Sequence, residues 1–263
     1  MALAGRTVIL TGASGGIGAA LCDALIAAQA RVVAIGRDEA RLAALARKYP
    51  EGQLLPLAAD LGSDRDRDRV IAEAAALRPT PSVLILAHAQ SAFGLFEEQS
   101  DAQLRALIET NLTAPLGLIH GMLPMLKRHE QAAVVAIGST FGSLAFPGFA
   151  AYSATKFGLR GLIEGLAREY ADTGLRFQFL SPRATRTGFN TSAVDALNRE
   201  LKVAQDDPAD VAAQLVEAIA QGRRRLQIGW PEKLFARVNG AWPGLVDRSL
   251  RPQLSLVRKH ARS

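Results

Sequence analysis

Short runs of β-branched and aliphatic residues alternate along this chain with longer stretches whose apolar positions recur every three or four residues. Thr7-Val8-Ile9-Leu10 and Arg31-Val32-Val33-Ala34-Ile35 are short and almost uniformly apolar, the pattern of strands buried on both faces. Comparable runs lie near 6–11, 31–36, 53–58, 82–88, 132–138, 176–181 and 225–229. Helical spacing fills intervals near 16–29, 38–48, 64–77, 100–128, 150–172 and 208–222. Regular alternation of this kind predicts parallel βαβ units joined by right-handed crossovers, an α/β domain. A chain of 263 residues without an internal repeat, low-complexity tract or linker is accommodated by one such domain.

Composition narrows the class. Hydrophobic residues make up 49% of the chain but aromatics only 6%, as expected where alanine- and glycine-rich helices pack closely on a sheet. No run is long and apolar enough to span a bilayer, and no leader peptide is expected, because strand and glycine turn begin almost at once. The single cysteine, Cys22, shares an apolar helix face with Leu21, Leu25 and Ile26 and reads as a buried structural thiol, which fits a reducing cytoplasm. The net charge of +6 is not accompanied by an aromatic-interleaved basic stripe, so no nucleic-acid partner is expected.

Two segments carry chemistry. The first strand runs into Thr11-Gly12-Ala13-Ser14-Gly15-Gly16-Ile17-Gly18 and then a helix. Glycines at 12, 16 and 18 permit a tight turn and let backbone approach a pyrophosphate at the helix N-terminus, where free N–H groups favour anions. The spacing, G-x-x-x-G-x-G, differs from the G-x-G-x-x-G fingerprint. In Tyr152-Ser153-Ala154-Thr155-Lys156, helical geometry places residues i and i+4 on one face, so the Lys156 ammonium should stand beside the Tyr152 phenol and lower its pKa. A phenol so tuned can exchange a proton with an alcohol oxygen. Asn111 lies within a largely apolar helical face (Leu104, Leu107, Ile108, Leu112), where its amide needs partners; Pro115, lacking an N–H, should free the Asn111 carbonyl and kink the helix.

Taken in order, the glycine turn, Asp60-Leu61 after the third strand, Asn111, Ser139, Tyr152 and Lys156 make the chain resemble the short-chain dehydrogenase/reductase family over roughly residues 5 to 230. The resemblance implies a single doubly wound, Rossmann-type domain with a seven-stranded parallel sheet. It implies catalytic roles for Asn111, Ser139, Tyr152 and Lys156, with the asparagine holding a water that leads to the lysine. It also implies a nicotinamide cofactor held by Gly12, Ser14, Gly16, Ile17, Gly18, Asp60, Leu61, Ala87, Ala89, Tyr152, Lys156, Thr185 and Thr187. No metal is implied. At the end of the second strand Gly36 stands where NAD-preferring relatives carry an aspartate, and Arg37 follows it, an arrangement that favours the 2′-phosphate of NADP over NAD.

Two departures stand out. Ala87-His88-Ala89-Gln90 replaces the family's Asn-Asn-Ala-Gly, so a side chain at Gln90 stands where glycine allows close approach; His88 is read as structural rather than as an acid or base. In Ser181-Pro182-Arg183 an arginine follows the proline where glycine is usual, and it could crowd the pocket or reach a charged group on cofactor or substrate. Gly188 to Asp207 should form a lid with Phe189, Ala193, Val194, Leu197 and Leu201 as its apolar part, and Phe93, Phe96, Phe141, Leu144 and Phe146 should face the same space. The expected function is therefore NADP(H)-dependent interconversion of an apolar or acyl-chain carbonyl and its alcohol, with a nucleotide-binding sensor or scaffold that has lost turnover as the rival. A homodimer or homotetramer is expected through the helices near 100–128 and 150–172. Their stripe of Leu159, Leu162, Ile163, Leu166 and Ala167, with small residues at Ala151, Ala154, Gly158 and Gly161, should pair across a two-fold axis. The catalytic domain should end near 230. The basic, amphipathic extension at 231–263 should pack on the same domain or a partner subunit in preference to a membrane surface.

Overall fold

The computed structural model describes residues 1–262. Its centre is a parallel sheet of seven strands: β1 (Thr7–Thr11), β2 (Arg31–Gly36), β3 (Leu54–Ala58), β4 (Val83–Leu86), β5 (Ala132–Ile137), β6 (Leu175–Ser181) and β7 (Arg225–Gln227), in the order β3-β2-β1-β4-β5-β6-β7. The doubly wound, seven-stranded parallel architecture expected from the sequence is the one observed. Val8 of β1 pairs with Val32 on one side and Val83 on the other, so strand order reverses at β1. Loops leaving β1 and β4 diverge there and open a crevice at the strands' carboxyl ends.

The side-chain period of two divides each central strand between two cores. Val8 and Leu10, Val83 and Ile85, and Ala133 and Val135 face α1 (Gly16–Ala27), α2 (Glu39–Ala46) and α8 (Pro208–Gln221). Ile9, Leu84 and Leu86, and Val134 and Ala136 face α3 (Asp64–Ala76), α5 (Ala114–Leu126) and α6 (Ala150–Glu169). Cys22 is buried in the first core, and burial pushes its thiol up to about 12, which keeps it protonated.

The helix expected over 100–128 is interrupted. It consists of α4 (Asp101–Ile108), a π-helical turn over Glu109–Thr113, and α5. Pro115 offers no N–H to the carbonyl of Asn111, and the chain widens so that the Ala114 N–H reaches back to the Glu109 carbonyl. Ser100 caps α4, donating through its own N–H and accepting the Gln103 N–H in a reciprocal box.

The segment 188–207 contains α7 (Ser192–Glu200), capped by Thr191. Beyond β7 the described part of the extension forms α9 (Trp230–Ala241), α10 (Pro243–Leu250) and α11 (Leu254–Ala261). The last of these lies on α7: Val257 is buried, Lys259 Nζ meets Glu200 Oε1 at 2.6 Å, and Arg262 pairs with Glu98 at 3.1 Å. Asn239 of α9 donates to the Ser143 carbonyl at 3.0 Å. A third apolar cluster results, joining Leu107, Phe149, Tyr152, Val194, Leu197 and Val257.

Candidate active site

The turn after β1 can be built only with glycine at two of its positions. Gly12 has a φ of +68°, and a Cβ added there would stand 2.8 Å from the backbone of His88; one added at Gly18 would collide with the Gly12 carbonyl. The N-terminus of α1 has no side-chain cap and no acidic residue in its first turn, so its free N–H groups are left for an anion. Thr11 Oγ1 fastens this turn to the neighbouring strand end, accepting the N–H groups of Ala87 at 3.1 Å and His88 at 3.4 Å.

A cavity of about 880 Å³ runs from the glycine turn to Tyr152. Every expected cofactor-binding residue lines it: Gly12, Ser14, Gly16, Ile17 and Gly18 at one end, Arg37, Asp60 and Leu61 beside them, Ala87 and Ala89 along the floor, Thr185 and Thr187 opposite, and Tyr152 with Lys156 at the far end. Arg37 is exposed and makes no hydrogen bond or ion pair among the described residues. Arg41, paired with Asp38 at 3.1 Å, also lines this part, a contribution that its position inside α2 hid from sequence reasoning. The glycine cradle and the uncapped helix end together fit the pyrophosphate of a dinucleotide.

At the far end Ser139, Tyr152 and Lys156 converge on the cavity wall. Ser139 follows β5 and accepts the Phe141 N–H at 3.1 Å; Tyr152 and Lys156 project from the first turns of α6. Lys156 Nζ donates to the Ile137 carbonyl at 3.3 Å and stands 5.7 Å from the Tyr152 ring centre. The expected lowering of the Tyr152 pKa is not what this environment produces. Burial pushes the phenol up to about 12, opposed in part by hydrogen bonding from Ser139, and burial pushes Lys156 down to about 8. Both shifts share one cause, burial; around the Tyr152 ring Phe141, Phe149 and Phe189, each with its ring centre 6.4 Å away, withhold water from the charged form.

Asn111 is buried and does not line the cavity. Its Oδ1 accepts the Gln90 N–H at 2.7 Å, and its Nδ2 donates to the Gln90 carbonyl at 2.9 Å and to Thr155 Oγ1 at 3.2 Å. Of the two departures, Gln90 does not line the cavity, whereas Arg183 does. Gln90 is exposed and meets the amide through its backbone alone, while Arg183 is held in a two-point ion pair with Asp206 at 2.9 and 2.6 Å, with Glu232 at 3.7 Å. His88 bonds Thr11 Oγ1 through Nδ1 at 2.6 Å, and burial, with the Lys156 and Arg37 charges nearby, pushes it down to about 3. It stays neutral near pH 7 and is no general acid.

Of the expected apolar wall, Phe141, Leu144, Phe146, Phe189, Val194, Leu197 and Leu201 line the cavity. Phe96 does not, being largely exposed; Phe93 packs behind Phe149 with ring centres 4.9 Å apart, and Ala193 lies outside the lining. Phe149, Phe235 and Leu250 belong to the wall and escaped sequence reasoning. Phe149 looked like a loop residue, and the two others come from helices remote in sequence.

The short chain dehydrogenase family model matches residues 6–198. A short chain dehydrogenase of Pseudocercospora fijiensis is 30% identical over 200 residues, 74% of this chain, and the chain spans 64% of that protein's length. Among solved structures, a short-chain dehydrogenase from Streptomyces avermitilis superposes with a TM-score of 0.80 at 31% identity, covering 98% of both chains. One from Sphingobium yanoikuyae, in complex with NADPH, superposes with a TM-score of 0.79 at 26% identity, covering 92% of this chain and 95% of its own.

The lysine yields a pH signature. Its folded pKa of about 8 lies below the ordinary 10.5, so the folded protein releases this proton before the unfolded chain does. The cost of burying the charge is complete below about pH 8 and is relieved as pH rises toward 10.5, so this group makes stability increase across that window. Tyr152 acts in the opposite sense only above about pH 10, where the unfolded chain ionises first. Denaturant titrations from about pH 7 to about pH 10 should show wild type gaining stability relative to Lys156→Met above pH 8. Parallel curves would contradict the buried-ammonium assignment.

Proposed function

The chain belongs to the short-chain dehydrogenase family, and on that premise we propose that it is an NADP(H)-dependent oxidoreductase interconverting a ketone or aldehyde carbonyl with its alcohol, on an apolar or acyl-chain substrate. The convergence of Ser139, Tyr152 and Lys156 at one end of a cavity whose other end is a glycine cradle supports this reading above all.

When bound, the nicotinamide supplies or accepts the hydride. Ser139 presents a hydroxyl able to hydrogen-bond the substrate oxygen and polarise it. Tyr152, kept protonated by its raised pKa, holds the proton on Oη that a newly formed alkoxide takes up, so the apolar setting favours it as a donor in the reducing direction. Lys156, with a pKa of about 8, can hold or release a proton near neutrality and restore the one Tyr152 gives up. Arg37 supports NADP over NAD: it forms no ion pair among the described residues, it follows Gly36 at the end of β2, and the adjacent carboxylate, Asp38, is engaged by Arg41. Phenylalanine and leucine from the lid and the extension surround Tyr152, which supports an apolar substrate over a sugar. Against the sensor reading, Gln90 is engaged through its backbone and Arg183, on the cavity wall, is paired with Asp206, which supports turnover.

We further propose a homodimer or homotetramer. The stripe assigned to the partner is largely used within the chain: Leu159 and Ile163 are fully buried, with Leu162, Leu166 and Ala167 against the same core, and a Cβ added at Gly158 would stand 3.1 Å from the Leu112 side chain. What remains for a partner is Ile108, Leu116 and Phe157, all exposed, beside the open positions Gly161 and Gly165.

Three outcomes test these statements. Against a panel of ketones with NADPH, Tyr152→Phe should lose at least about a hundredfold in kcat while NADPH binding is unchanged. Arg37→Asp should reverse the preference between NADPH and NADH in binding titrations; unchanged discrimination would place the phosphate elsewhere. Light scattering at micromolar concentration should give a mass at least twice that of the chain, and a monomer mass would refute the interface.

A further inference from the structure

We propose that α9 and α10 form a docking surface for an anionic lipid bilayer. Helix α9 contains no buried residue, although half of it is apolar. Trp230 is 69% exposed, Trp242 66%, Leu245 55% and Leu234 51%, whereas α10 buries only Val246. On α9, Trp230, Leu234 and Ala241 share one face, and Lys233 and Arg237 flank it at positions three and seven after the tryptophan. Arg248 and Arg251 continue the basic rim beyond Trp242.

Charge decides what covers this face. Residues 230–262 carry seven Lys or Arg against Glu232 and Asp247, so most of the chain's net charge of +6 resides in this terminal segment. Lys233, Arg237, Arg248 and Arg251 form no ion pair among the described residues; of the two acids in the segment, Glu232 is turned inward toward Arg183, which leaves Asp247 alone exposed among these cations. A second copy of the chain brought up on this face would set these cations against each other. An anionic surface neutralises them, and tryptophan rings settle at the boundary between headgroups and acyl chains. No described helix is long and apolar enough to cross a membrane, so the contact is with the surface.

The face adjoins the site. Pro231, Phe235 and Leu250, from the same two helices, line the cavity, so docking sets its mouth against the bilayer where an apolar substrate partitions. That consequence rests on the redox reading above; the docking itself does not.

The chain's only two tryptophans both lie on this face and are therefore native probes of it. The full-length protein, without substrate or cofactor, is titrated with vesicles of phosphatidylcholine containing about 30% phosphatidylglycerol. Tryptophan emission should shift to the blue, with partitioning at least about tenfold stronger than onto pure phosphatidylcholine and weakened by added salt. Leu234→Ser with Leu245→Ser, both exposed positions that leave the two probes in place, should abolish the shift while the far-ultraviolet spectrum and NADPH binding are retained. No shift on the anionic vesicles, or an equal one on the neutral vesicles, overturns the proposal. So does a blue shift that follows protein concentration without lipid and disappears in the same variant, which would assign the face to a second copy.

Discussion

The side-chain amide of Asn111 joins the two halves of the site from within the π turn that forms where Pro115 offers no N–H. The π turn over Glu109–Thr113 directs a buried amide at the chain leaving β4, whose Gln90 N–H and carbonyl it satisfies together, and at Thr155 on α6. A buried amide left without partners would cost more than an ordinary hydrogen bond contributes, so this contact is strongly specified. The floor of the cofactor end and the helix carrying Tyr152 and Lys156 are thereby held in one register. The same contact renders the Gln90 side chain harmless, because only backbone is engaged.

Around that brace the fold withholds water from the reactive groups. Tyr152 belongs to an apolar cluster to which α4, α6, α7 and α11 all contribute, and its ring packs against three phenylalanines. In such surroundings the neutral form of each titratable group is favoured, which raises the phenol and lowers the ammonium. The proximity of a cation to a tyrosine is therefore an incomplete guide to its acidity; burial outweighs it here, and the consequence is a phenol that stays protonated.

The terminal helices serve both parts of this arrangement. One side of α11 closes the lid through Val257 and the ion pair between Lys259 and Glu200, and the start of α9 is tied through Glu232 to Arg183 and, with Asp206, to the loop after β6. Arg183 thus forms part of the pocket wall and ties it to α9. The outward side of α9 and α10 carries what the domain itself has no use for, exposed tryptophans and leucines among unpaired cations.

Alternation of short apolar runs with helical periods was enough to determine the parallel sheet, because strands buried on both faces leave a pattern that local residues alone carry. The glycines at 12 and 18, the Tyr152–Lys156 spacing and Arg37 were legible for a similar reason, since each is a local steric or chemical requirement. The site residues that escaped, Arg41, Phe149, Phe235 and Leu250, act through neighbours remote in sequence, and no periodicity records which helix will cover which cavity. The expected kink at Pro115 was legible as a missing donor, but its form as a π turn, and the partners Asn111 found there, depended on where β4 and α6 came to lie. The sequence likewise placed a lysine beside a tyrosine and a glutamine in a glycine position; only the packing around them settled the sign of the pKa shift and the direction of the side chain, because both are set by how much water the assembled fold admits.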